Sequence, residues 1–326
     1  MQRRTQPGFG LIEIMVALLL GVIIMLGVTQ VATNNSQTRN ELERTGQQIE
    51  SATYALQLME DDLVSAGFWG EMGEQTVGAL PLVCPATQAE LTTALGYPVQ
   101  GEGTLCSAVL PKADTNYIAI RRANSCALNS TGCEAAASNF YLQVNSCFVP
   151  SNDSAPKPGI DYLINTAPAT NLTYKARDCT STAPQYRFLS RIYFVNAADR
   201  LARTELVGSV YGAATELVDG VELMRLEYGL DTSGDGQADA YTTAPVGVAW
   251  ANLVMVRISM VVRNLQPSDG FSDEKTYTLA DKTYCAQPAV GPACDITVPA
   301  AFKNYRRQVY TRTVSLRNVA GRREKG

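Results

Sequence analysis

The chain has 326 residues, 46% hydrophobic and 18% charged, so it can bury a core and is too apolar for a disordered chain. Its net charge of −4 argues against nucleic-acid binding, which needs a basic surface. It has no histidine, which excludes Ser-His-Asp and Cys-His catalysis, His-ligated zinc or haem, and a histidine pH switch.

Residues 1–8, MQRRTQPG, are polar, with Arg3 and Arg4. Residues 9–28 form an apolar run broken by one charge, Glu13. A run of that length rises about 30 Å as a helix, the thickness of a bilayer core. The basic residues ahead of it place the N-terminus in the cytoplasm and the rest of the chain on the oxidising side. A secretory signal is the alternative, but such signals are shorter, avoid a carboxylate and end in a small-x-small site, and nothing clean follows Val28. A carboxylate in a membrane run costs roughly 2.5–3.5 kcal/mol, so Glu13 is expected to have a partner.

The stretch Gly8-Phe9-Gly10-Leu11-Ile12-Glu13, continued by Ile14-Met15-Val16-Ala17-Leu18, closely resembles the class III signal of type IV pilins and pseudopilins. Gly10 stands where family members more often carry Ser or Thr. The resemblance implies cleavage by a prepilin peptidase between Gly8 and Phe9 and N-methylation of Phe9. It also implies that Glu13 meets the N-terminal ammonium of a neighbouring subunit and sets filament register. Each charge alone is costly in an apolar setting, and the pair much less so.

Beyond the membrane run, residues 29–66 lack proline, and Ala52, Leu56, Met59, Leu63 and Ala66 recur at spacings of four and three. This predicts one helix over about 9–66, stopped near Gly67, whose last turns pack on a folded head. After residue 70 the period changes to that of strands. These are expected at Tyr117–Arg121, Phe140–Val149, Tyr186–Val195, Val221–Tyr228, Leu253–Arg263 and Gln308–Arg317. A shorter strand at Arg200–Val207 is expected to pair with the preceding one through an Asn196–Asp199 turn. The expected organisation is a leader at 1–8, a membrane helix at 9–28 and its continuation at 29–69. A cysteine-rich elaboration follows at 70–180, then an antiparallel sheet at 181–320 and a tail at 321–326. The fold class is α+β, a long N-terminal helix on a mostly antiparallel sheet.

The eight cysteines, Cys84, Cys106, Cys126, Cys133, Cys147, Cys179, Cys285 and Cys294, include no CxxC pair. Their scatter predicts disulfides rather than a metal knuckle. Short loops close with the smallest entropy loss, which favours nearest neighbours: Cys84–Cys106, Cys126–Cys133, Cys147–Cys179 and Cys285–Cys294.

Four further stretches are similar to the larger minor pilins of the PilW type: the helix end Asp62-Leu63-Val64-Ser65-Ala66-Gly67-Phe68, the strand endings Arg257–Asn264 and Thr313–Asn318, and Tyr228–Gly236. The resemblance implies a PilW-like minor pilin that primes pilus assembly near the filament tip. Its implied partners are other minor pilins, the major pilin, the prepilin peptidase, the inner-membrane assembly machinery and membrane lipid. It would sit in the inner membrane with its head in the periplasm, then in the pilus on the cell surface. A type II secretion pseudopilin, a tip adhesin and a membrane-anchored periplasmic enzyme are the competing readings. No nucleophile has a base and no phosphate loop appears, so no catalytic residue is assigned, and the scattered Asp and Glu read as a solvated surface.

One constellation is site-like. Asp231, Ser233, Asp235, Gln237 and Asp239 follow the first nine positions of an EF-hand loop, with Gly236 at the turn and Thr242 where the bidentate glutamate belongs. Two readings stand, a weak calcium site and an acidic, glycine-rich turn.

Overall fold

A computed structural model describes residues 10–73, 75–133, 137–150, 154–166, 171–286 and 294–324. The chain divides into two compact units, residues 1–47 and 48–326.

Helix α1 runs Leu11–Val64. In the first unit its residues through Val28 are all exposed, and the stretch is long and apolar enough to cross a membrane. Its polar continuation satisfies itself locally: Thr29, Thr38 and Thr45 each donate to the carbonyl four residues back.

The second unit contains the last turns of α1, then α2 (Gln88–Ala94), β1 (Val99–Gln100), β2 (Tyr117–Ala127), β3 (Phe140–Val144) and β4 (Tyr162–Thr166). There follow β5 (Gln185–Val195), β6 (Arg200–Val207), β7 (Val210–Tyr211), β8 (Thr215–Asp219), β9 (Val221–Leu230) and β10 (Ala240–Thr242). The chain ends with β11 (Leu253–Arg263), β12 (Thr276–Leu279), β13 (Lys282–Cys285), β14 (Ile296–Thr297), β15 (Arg307–Ser315) and α3 (Arg317–Arg323). Strands β1-β2-β5-β3-β4 lie side by side, with β6 also on β5 and carrying β7 and β8. A second sheet has the order β10-β9-β11-β15, and a third β12-β13-β14. All pairings are antiparallel except β13 with β14.

The apolar stripe of α1 is buried as its spacing requires. Ala52, Leu56, Met59, Leu63 and Ala66 share one core with Ile118, Ile120 and Tyr193 of the first sheet and Met224, Leu226, Ile258 and Met260 of the second. Ala55, outside the predicted stripe, joins them. The helix stops where Gly67 takes φ +72, a left-handed conformation open to glycine at little cost. A Cβ there would meet Arg322 Nη2 and Pro98 Cγ at 3.0 Å. Phe68 and Trp69 then dock on β5, Trp69 stacking on Phe188 at 5.3 Å.

The division expected at residue 180 does not separate two sheets. β2 and β3, from the cysteine-rich segment, pair with β5 and build one sheet with it. The strand expected over Phe140–Val149 ends at Val144, because the buried Asn145 side chain donates to Cys147 O and Pro156 O and turns the chain out. The final strand ends at Ser315 and the expected tail begins inside α3. Four disulfides join Cys84–Cys106, Cys126–Cys133, Cys147–Cys179 and Cys285–Cys294.

Candidate functional site

Gly8 and Phe9 lie outside the described residues. Glu13 occupies the first turn of α1, where Gly10 N–H donates to its Oε2 at 3.0 Å. A carboxylate there takes one of the amides left unpaired at a helix start and sits at the positive end of the helix dipole.

Where α1 meets the first sheet, Asp62 is buried, with its side chain 5% exposed. Tyr193 donates to it at 2.7 Å, Arg191 at 2.8 Å and Arg122 at 3.3 Å. Arg191 also reaches Glu205 at 2.7 Å, and Arg187 reaches Glu205 at 3.0 Å. Burial and the Asp62 charge push the Tyr193 hydroxyl well above the usual tyrosine range. The neighbouring Asp61 is exposed.

A second lock joins the second and third sheets. Arg307 is fully buried and donates to Glu222 at 2.6 and 2.9 Å and to Asp273 at 3.2 Å. Tyr284 donates to Glu222 and Tyr277 to Asp273, each at 2.9 Å. Arg263 lies 3.1 Å from Glu222, and Lys112 bonds Asp199 at 2.5 Å. Burial works against the Arg307 charge, but the hydrogen bonds and charge of Glu222 outweigh it and hold the guanidinium above its ordinary pKa.

These clusters correct the solvated-surface reading of the acidic residues, since Asp62, Asp199, Glu222, Asp231 and Asp273 are all buried. Their partners lie far off in sequence, and no local spacing could have announced them. Arg121 was missed for the same reason. It is buried, donates to Tyr97 O, Leu82 O, Val83 O and Gln100 Oε1, and desolvation pulls its pKa down to about 10.

The C-terminal helix closes the end of α1. The last turn of α1 has no basic residue of its own. Asn318 donates to Val64 O and Ala66 O, and Arg322 donates to Gly67 O at 2.8 Å. A cation from α3 thus stands at the negative end of the helix dipole.

The Asp231–Asp239 loop does not fit a cation. Both Asp231 oxygens are engaged: Gly234 N–H donates at 2.6 Å, Gly236 N–H at 3.0 Å and Arg323 Nε at 2.7 Å. Asp239 accepts from the Thr232 and Ser233 amides, and Asp235 from the Gln237 amide. Ser233 Oγ lies 3.4 Å from Asp231 Oδ1 and 3.3 Å from Asp239 Oδ1, so these groups bond to one another and to the loop amides. Among the described residues no group of three His, Cys, Asp or Glu could hold a metal. Burial raises the Asp231 pKa, but the Arg323 hydrogen bond and the two glycine amides outweigh it and hold it at about 2. Of the two readings of this loop, the arrangement fits the turn, latched by Arg323, whose guanidinium supplies the positive charge beside Asp231.

Comparison with known proteins places these features. A family model for the type IV pilus-assembly protein W, PilW, matches residues 192–318. A model of the prokaryotic N-terminal methylation motif matches residues 3–29. No curated protein matches the chain. A type IV-like pilin from Thermus thermophilus aligns over 83% of this chain and 97% of its own, at 8% identity and a TM-score of 0.35. The PilW match spans β6, β9, β11 and β15 together with Glu222, Arg263 and Arg307, the methylation motif spans the exposed apolar helix, and the chain thus joins a prepilin-type N-terminus to a segment of the PilW type, the combination of a type IV minor pilin.

Proposed function

We propose that this chain primes pilus assembly from a place near the filament tip. One observation carries the reading: a methylation-motif helix and a PilW-type head occur in one chain. In this reading a prepilin peptidase cuts after Gly8 and the new N-terminus at Phe9 is methylated. The helix waits in the inner membrane with the disulfide-bonded head in the periplasm, an oxidising compartment. On extraction, Glu13 leaves the amide it accepts in the isolated chain and meets the ammonium of a neighbour. The Asp62 cluster and the α3 clasp fix the last turns of α1 to the head, so force applied to the helix reaches a rigid body. The partners are other minor pilins, the major pilin and the assembly machinery of the inner membrane.

Deletion of the chain tests the proposal, with surface pili counted in cells that can retract pili and in cells that cannot. Loss of pili when retraction is active, with partial recovery when it is blocked, supports priming. Full piliation with loss of surface attachment alone supports the adhesin reading.

A further inference from the structure

A long edge lies open along β15. This strand is the outer member of the second sheet and pairs with β11 in one register, Met255↔Ser315 through Arg263↔Arg307, with no bulge. The phase of the ladder follows from its ends, where Leu316 N–H donates to Val254 O and Asn264 N–H to Arg306 O. Backbone groups of an antiparallel pair point alternately toward the partner and away. Even-numbered residues of β15 therefore bond to β11, and Thr311, Thr313 and Ser315 aim their N–H and C=O groups outward. The outward carbonyl of Arg307 already accepts from Tyr277 at 3.3 Å. Beyond it Thr311, Thr313 and Ser315 are exposed, and among the described residues no other strand pairs with them.

Folded proteins keep free edges short, bulged, proline-bearing or covered. The opposite edge, β10, obeys the rule with three residues. β15 does not. Above it α1 walls a groove of about 500 Å³ lined by Thr53, Gln57, Glu60, Asp61, Thr311 and Arg312. Arg312 is paired to Glu60 at 2.7 Å, which leaves Asp61 as the groove's uncompensated charge.

We propose that β15 accepts an added strand from another protein, an extended segment with a lysine or arginine at the position facing Asp61. Main-chain bonds to Thr311, Thr313 and Ser315 supply affinity, and alternate side chains read the groove. A second copy of this chain fits poorly, because its own Arg312 is already held by its own Glu60.

The test uses the full-length protein in detergent and a synthetic peptide, Ser-Thr-Val-Lys-Val-Thr-Ser, at millimolar concentration. Amide exchange should slow at Thr311, Thr313 and Ser315 and stay unchanged at Arg312 and Val314. Asp61→Lys should weaken peptide binding about two- to fivefold, and a peptide with Glu in place of Lys should recover it on that variant. Thr313→Pro removes one outward N–H without touching the β11 ladder and should abolish the protection. Absence of protection overturns the proposal, as does protection indifferent to the charge swap, or slowed exchange that arises from self-association without peptide. The assay contains no pilus, so its failure leaves the pilin assignment standing.

Discussion

Asp61 and Asp62 are adjacent acids on α1, and their substitution should have very different consequences. Asp62→Ala removes the acceptor of one tyrosine hydroxyl and two arginines whose side chains are 17% and 22% exposed. Removing one partner of a buried charge pair costs about 3–5 kcal/mol. Arg191 keeps Glu205 at 2.7 Å, which moves the expectation to the lower end, about 3 kcal/mol. For a head of about 290 residues, unfolding with about 2.1 cal/mol/K per residue, that lowers Tm by about 5 °C. Asp62→Asn retains an acceptor for Tyr193 but loses the charge, and should cost about 1.5–2 kcal/mol. Asp61→Ala removes an exposed charge and should stay within about 0.5 kcal/mol of the parent. The assay is urea unfolding of a soluble head starting at residue 35, with disulfides intact, followed by tyrosine and tryptophan fluorescence. Equal midpoints for the Asp61 and Asp62 variants would refute the idea that a buried carboxylate fixes α1 to the first sheet.

Arg307→Met leaves Asp273 with no cation and Glu222 with Arg263 alone, and should cost about 3–5 kcal/mol in the same assay; adding Glu222→Gln and Asp273→Asn should return part of the loss. Asp231 has a pKa held down at about 2 in the fold, so its contribution to stability is present above its unfolded value and disappears as pH falls through about 2. Arg323→Ala should therefore flatten the acid limb of the stability profile, and calorimetry of the parent should find the same Tm in millimolar calcium and in chelator. Gly8→Val should block processing, while mass spectrometry of the parent should find a methylated N-terminus at Phe9; a chain beginning near residue 29 would establish a secretory signal instead. Glu13→Ala should insert in the membrane at least as well as the parent, because the one charge of the apolar run is gone, and yet enter pili less often if the proposed pairing with a neighbour's N-terminus is lost.

Sequence alone determined the parts whose physics is local. The apolar run with its single acid, the three-and-four stripe from Ala52 to Ala66, the stop at Gly67 and the alternation of Arg200–Val207 and Leu253–Arg263 each express a period or a turn requirement within a few residues. The acidic loop at Asp231 was also visible, but its meaning was not, because the cation beside it comes from Arg323 at the far end of the chain. The same holds for Asp62 with Arg191 and for Glu222 with Arg307. Each is a long-range pair that no spacing rule can select, since any of the chain's basic residues would satisfy a carboxylate equally well before folding. Strand pairing across the supposed boundary at residue 180 was decided in the same way. A strand's alternation shows which face is buried but not which edge it will meet. That choice waits for the core, where α1 covers strands of two sheets at once and leaves the outer edge of β15 unpaired.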